Sequence, residues 1–125
     1  MTPKPSTGAR GTDGEAQAAR YLEKQGLKIH DRQYRTRWGE VDLIAQDRDK
    51  TWVFIEVKYR IRESAFPTAE AITPAKQKKI IGTALSYMKQ HGLKEQNMRF
   101  DVITLEGDHL EWFPNAFEPK QSFTY

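Results

Sequence analysis

Residues 38–60 read WGEVDLIAQDRDKTWVFIEVKYR. Two β-prone runs, 38–46 and 51–60, flank Asp47, Arg48, Asp49 and Lys50, a polar link of hairpin length, so the runs are expected to pair antiparallel. The polar residues inside them fall in phase. Glu40 and Asp42 are two apart, as are Glu56 and Lys58, and residues two apart share a sheet face. A turn centred on Asp49 sets Asp42 opposite Glu56 and Glu40 opposite Lys58, with opposed Cβ atoms about 5 Å apart. A one-residue slip would part them, so the arrangement hangs on register. Two carboxylates facing each other on a half-buried sheet repel unless something neutralises them. An oxygen-loving divalent ion does so, and Mg²⁺ takes one or two protein carboxylates, leaving its other positions to water and phosphate oxygens. Lys58 beside them would touch a phosphate or assist deprotonation of an attacking water. The set reads as metal-assisted phosphodiester hydrolysis. The bland alternative is a solvated face of alternating charge in which Glu40 pairs with Lys58.

Upstream, Thr12 is expected to cap a helix with Glu15 as its capping-box partner; Ala18, Ala19 and Leu22 form the apolar stripe and Gly26 ends it. Residues 27–35 suggest a strand whose pattern breaks around Asp31. Downstream, residues 61–72 carry neither period and contain Pro67, which predicts a loop. Thr73 and Pro74 then start a second helix that ends at His91 before Gly92. Its stripe is Ile80, Ile81, Ala84, Leu85 and Met88, with Lys76, Lys78, Lys79 and Lys89 largely off it. Residues 99–105 and 109–113 predict a second hairpin about Glu106, Gly107 and Asp108. The expected order is α-β-β-β-α-β-β, an α/β mixed sheet flanked by helices in one domain over residues 12–113. Residues 1–11 are read as a flexible arm and 114–125 as a tail.

The 125 residues fit one such domain, and the absence of cysteine removes disulfide frameworks, zinc–thiolate sites and thiol nucleophiles. No apolar run approaches the roughly 20 residues of a membrane span and the N-terminus lacks a secretory pattern, so a cytoplasmic protein without a membrane partner is expected. The formal charge of +3 is unevenly spread. Residues 1–37 hold 8 Lys and Arg against 4 acids, residues 38–57 hold 2 against 5, and residues 58–91 hold 7 against 2. An acidic stretch thus lies between two basic ones, which suits a polyanionic partner around a metal site. His30, His91 and His109 stand apart from any metal-ligand spacing, and no phosphate loop or Ser-His-Asp set is present.

Asp42 followed by Glu56-Val57-Lys58 resembles the PD-(D/E)xK nuclease signature, with Val41 in place of the proline. More of the chain is similar to one small bacterial family, the YraN-like proteins, uncharacterised relatives of archaeal Holliday junction resolvases. The blocks are GTDGEAQAARYLEKQGLKI, RWGEVDLIAQD, VFIEVKYR, AEAITPAKQKKI and RFDVITL, spanning about residues 11–105. The resemblance implies a restriction-endonuclease-like αβββαβ core with an extra C-terminal hairpin strand. It implies that Asp42, Glu56 and the Val57 carbonyl bind Mg²⁺, for which Mn²⁺ substitutes, and that Lys58 orients or activates the water. Glu15 would complete the site, in competition with its capping role. Glu40 lies in the motif as a metal contact or as a partner of Lys58.

Around this centre Arg35, Arg37, Arg60, Arg62, Lys76, Lys78 and Lys79 are candidates to hold backbone phosphates, with Gln77 as a phosphate contact. Trp38, Trp52 and Trp112 are candidates to stack on unpaired bases. The expected function is a metal-dependent nuclease acting on DNA rather than RNA, with branched or structured DNA and a homodimer suggested by analogy with the resolvases. The alternatives are a nucleic-acid-binding protein of nuclease fold with little or no cleavage, and an interaction protein with an acidic partner.

Overall fold

The hairpin of residues 38–60 forms as its pattern requires. In the computed structural model, which describes residues 7–59 and 72–119, β2 (Gly39–Gln46) pairs antiparallel with β3 (Trp52–Tyr59). Their register runs from Gln46 opposite Trp52 to Leu43 opposite Ile55, which is the register of a turn centred on Asp49. The ladder then stops. Asp42 and Glu56, next in line, are not paired backbone to backbone, and neither are Glu40 and Lys58.

Around this hairpin the chain builds α1 (Thr7–Lys24), β1 (Lys28–Thr36), α2 (Pro74–Gln90), β4 (Met98–Glu106) and β5 (His109–Phe117). The five strands form one sheet in the order β1-β2-β3-β4-β5. It is mixed: β3 and β4 run parallel, joined by the crossover that contains α2, and every other neighbour is antiparallel. The order α1-β1-β2-β3-α2-β4 is the αβββαβ core expected from the resemblance, and β5 is its added strand.

Each helix covers one face. Ala18, Ala19 and Leu22 of α1 pack with Leu27, Leu43, Ala45, Val53, Ile55 and Ile103. Ile80, Ile81, Ala84, Tyr87 and Met88 of α2 pack on the other side with Val41, Ile44, Phe54, Phe100 and Val102. Burial on both faces explains why β3 and β4 read as near-continuous apolar runs.

Local signals place the ends. The Thr73 hydroxyl accepts from the Lys76 amide at 3.1 Å, Pro74 opens α2, and Gly26 takes a φ of 99° just past α1. The break expected near Asp31 is a bulge in β1 between Ile29 and Asp31.

Two boundaries differ from expectation. Helix α1 starts at Thr7 rather than after Thr12. Thr12 is therefore inside the helix, where upstream carbonyls already satisfy the amides of the following turn, so no capping box forms and Glu15 is released from that role. The expected arm is thereby shortened, and residues 1–6 lie outside the described residues. Strand β5 runs to Phe117, so residues 114–117 belong to the sheet and not to a tail. Pro114 is tolerated because β5 is an edge strand that need not offer every amide to a neighbour. The predicted 61–72 loop falls outside the described residues apart from Ile72, which is buried.

One buried acid went unread in the sequence. Asp101 is fully buried in β4. Its carboxylate accepts from the Arg99 guanidinium at 3.1 Å, the Trp112 indole at 2.9 Å and the Asn115 amide at 2.9 Å. Arg99 also reaches Asp47 in the β2–β3 turn at 2.8 Å, and that bond holds the Asp47 carboxyl below its ordinary range. The set ties β5 and the hairpin turn to β4. Removing one partner leaves buried charge unpaired, so Asp101→Ala should lower stability by about 3–5 kcal/mol in urea unfolding. A loss below about 1 kcal/mol would show that the network is not a structural anchor.

Candidate active site

The site forms where the β2–β3 ladder stops. The Val57 amide, left without a strand partner there, donates to the Asp42 carboxylate at 2.8 Å. A side chain thus takes the place of a backbone acceptor, and Asp42 is held at the mouth of the gap between the two strands. Glu56, the preceding residue in β3, is 6% exposed. Asp42, Glu56 and Glu15 of α1 lie close enough for each carboxyl to shift the proton affinity of its neighbours, with Gln33 of β1 beside Glu15.

Helix α1 reaches the gap because residue 14 is a glycine. A Cβ at Gly14 would lie 2.6 Å from the Tyr59 ring and 2.9 Å from a Leu105 methyl, inside any normal contact. The helix therefore sits directly on β3 and β4, and Glu15, one residue on, is buried beside Asp42. From the opposite face Lys76 of α2 pairs with Glu56 at 3.1 Å.

Three carboxyl groups sharing a buried space cannot all ionise freely. Burial, with the Glu15 charge adding to it, pushes Asp42 up to about 6 against the pull of the Val57 amide. Burial, reinforced by the Asp42 charge and opposed by Lys76, pushes Glu56 up to about 7. Burial also raises Glu15. The charge of the cluster is held down by protons, which is the work a divalent cation would take over.

Among the described residues no three His, Cys, Asp or Glu side chains converge as a ready-made metal cage. The residues fit an ion held by one or two carboxylates, which completes its shell with water and phosphate oxygens. That is the habit of Mg²⁺. The donors are all oxygen, as a hard cation requires. Asp42 and Glu56 would hold it, with the Val57 carbonyl as a further oxygen donor and Glu15 beside them rather than as a third carboxylate on the ion.

The other candidates are distributed differently. Lys58 follows Glu56 by two residues on the same face of β3 and is half-buried, and among the described residues it has no ion-pair partner. Glu40 pairs with Arg35 across β1 and β2 at 3.0 Å, so the expected alternative pairing with Lys58 does not form. The reason is register: Arg35 is the ladder partner of Glu40, whereas the β2–β3 ladder has already opened. Gln77 donates to the Ile72 carbonyl at 2.9 Å and steadies the entry to α2. Lys79 is exposed, Arg37 lies over Trp38, and Arg60 and Arg62 fall outside the described residues.

Of the three tryptophans, Trp52 is buried and donates to Gln96, Trp112 donates to Asp101, and Trp38 is 52% exposed. Sequence reasoning missed Gly14 and Gln33. Gln33 takes a φ of 49°, uncommon for a residue with a side chain, and nothing in its neighbours announces it.

The raised carboxyls carry a pH signature. Between about pH 4 and 7 the folded protein holds protons that the unfolded chain has released, so stability falls as pH rises through that window. Glu56→Gln removes one such group. In urea unfolding with EDTA its stability should fall less steeply from pH 5 to 8, and at pH 8 it should exceed the wild type by on the order of 2 kcal/mol. Parallel curves for the two proteins would show that Glu56 ionises normally.

Residues 14–105 match the model of a family described as Uncharacterised protein family UPF0102. The chain is 44% identical over 115 residues to a UPF0102 protein of Aeromonas hydrophila subsp. hydrophila, covering 90% of this chain and 88% of that one. To a UPF0102 protein of Ralstonia pickettii it is 38% identical over 118 residues, covering 92% and 94%. Among solved structures it is similar to a repair endonuclease from Pyrococcus abyssi, at 16% identity and a TM-score of 0.44, over 93% of this chain and 43% of that one. It is also similar to a chain of an EndoMS–dsDNA2 complex, at 15% identity and a TM-score of 0.38, over 80% and 37%. It spans less than half the length of either of those chains. On the family model and these relatives, the chain belongs to the uncharacterised protein family UPF0102, the small bacterial family that its sequence blocks resemble.

Proposed function

We propose that the protein is a metal-dependent nuclease that hydrolyses phosphodiester bonds in DNA. The observation that carries this reading is the Asp42 carboxylate, held by the Val57 amide at 2.8 Å close to the buried carboxyls of Glu56 and Glu15, with Lys58 two residues beyond Glu56 on the same strand face. Asp42 and Glu56 would hold Mg²⁺ or Mn²⁺, which when bound supplies charge neutralisation for the phosphate and its leaving oxygen.

The chain's own groups do the rest. Burial keeps the two carboxylates in one geometry, and the Val57 amide engages the Oδ2 of Asp42. Lys58 donates to the attacking water and orients it on phosphorus, and its charge favours the ionised form of that water in the transition state. Lys76 offsets the Glu56 charge while the site is free of substrate. With a phosphate present, Lys76 and the exposed cations Arg35, Arg37 and Lys79 contribute affinity without reading sequence. Structured DNA as the preferred substrate and a homodimeric assembly belong to the same proposal, by analogy with the resolvases.

The test uses the purified full chain with Mg²⁺, with Mn²⁺ and with EDTA, against single-stranded, duplex, flapped and four-way DNA and against RNA. Cleavage should require the metal and fall by about 10²-fold or more in Asp42→Asn, Glu56→Gln and Lys58→Ala. Cleavage that survives Asp42→Asn and Lys58→Ala would come from a contaminating nuclease and overturn the proposal. Binding without cleavage by the wild type would make the chain a nucleic-acid-binding protein, and neither would leave an interaction protein.

A further inference from the structure

Beyond the carboxylates, a groove of about 1150 Å³ runs beside α2. Its lining follows that helix from Ala75 to Lys89, which is roughly 21 Å of helix, and crosses to the start of β4. The floor is apolar, formed by Leu85, Met88, Met98 and Phe100. The rim is basic: Arg37, Lys78, Lys79, Lys89 and Lys94 line it, and among the described residues no Asp or Glu does.

One wall is Trp38, from the turn between β1 and β2. The ring is presented rather than buried. The Trp38 amide donates to the Thr36 hydroxyl at 3.1 Å, and Thr36 lies 3.3 Å from Thr83 of α2, so the turn is tied to the helix. Gly82 offers no side chain where Trp38 crosses the helix, at 3.5 Å from where a Cβ would stand. The Arg37 guanidinium sits 4.8 Å above the indole. An exposed indole fixed in place and backed by a cation is a platform on which a base can stack.

We infer that this groove binds an unpaired nucleic-acid strand, its bases turned onto Trp38 and the apolar floor and its phosphates on the basic rim. The inference rests on the nuclease reading and names the form of its substrate: DNA with an unpaired segment next to the scissile bond. Charge selects a polyanion. The apolar floor selects an unpaired strand over a duplex, because a duplex presents phosphates outward and keeps its bases stacked inside. Continuity with the site supports it: Lys79 on the rim is one helical turn from Lys76, which pairs with Glu56, and it packs at 3.2 Å from where a Cβ of Gly39 would stand, the residue before Glu40.

The test is fluorescence anisotropy of a labelled 12-nucleotide oligo(dT) and of a blunt duplex, both in EDTA so that nothing is cut. Trp38→Ala should weaken oligo(dT) binding about tenfold, at least fivefold more than it weakens duplex binding, and Trp38→Phe should recover most of the loss. Lys78→Ala and Lys89→Ala should each flatten the dependence of log affinity on log salt by about 0.7. Circular dichroism confirms that each variant folds. Equal losses on both DNAs, or no loss on oligo(dT), would overturn the groove while leaving the nuclease reading intact. A Trp38 emission change that follows protein concentration instead of DNA would make the groove a surface between two copies of this chain and overturn it as well. Absence of both binding and cleavage in the wild type would overturn the two proposals together.

Discussion

The hydrogen bond from the Val57 amide to the Asp42 carboxylate stands at the one place where the central hairpin stops being a hairpin. Had the ladder continued past Leu43 and Ile55, Val57 would have found a backbone acceptor and the Asp42 side chain would have pointed out of a closed sheet. Because it stops, an amide in the half-buried interior needs an acceptor, and leaving such a group unpaired costs on the order of 1–3 kcal/mol. Asp42 meets that need and is immobilised by doing so. The same event that ends the ladder therefore presents a carboxylate to the gap, and Glu56, the next residue in line on β3, is buried alongside it.

Burying these acids is unfavourable, as the upward shifts of Asp42 and Glu56 show, and the rest of the fold holds them there against that cost. Two apolar layers clamp the sheet, α1 on one face and α2 on the other. Gly14 lets α1 approach until Glu15 joins the cluster, and α2 brings Lys76 to Glu56. On the other side of the sheet's centre, Asp101 and Arg99 stitch β4 to β5 and to the turn of the hairpin. The protein thus keeps one buried acid fully partnered as an anchor and leaves a second group of acids short of positive charge.

Much of the fold was legible because its signals are local. The alternation and polar link of residues 38–60 specified the hairpin and its register, Thr73-Pro74 and Gly92 bounded α2, and the broken pattern at Asp31 was a bulge. The failures share a cause. Thr12 and Glu15 have the form of a capping box, but a cap is needed only where a helix begins, and this one begins upstream. Pro114 looked like the end of structure, yet an edge strand accepts a proline. Asp101 went unread because alternation along residues 99–105 does not reveal that both faces of β4 are covered.

The sequence by itself determined which residues make up the candidate site: Asp42, Glu56 and Lys58 lie on adjacent strands in phase, and periodicity of two is enough to say so. The tertiary structure decided how they are used. It opened the ladder so that Asp42 bonds an amide instead of facing Glu56 across a closed pair, delivered Glu15 through a glycine contact between residues 45 apart, and gave Glu40 to Arg35 and Glu56 to Lys76. It also separated three similar tryptophans into two that anchor the core and one that faces solvent. Pattern along a strand follows from backbone geometry, which neighbouring residues determine. Partner choice between elements depends on close approach, burial and competition for hydrogen bonds, and these exist only once the layers have packed.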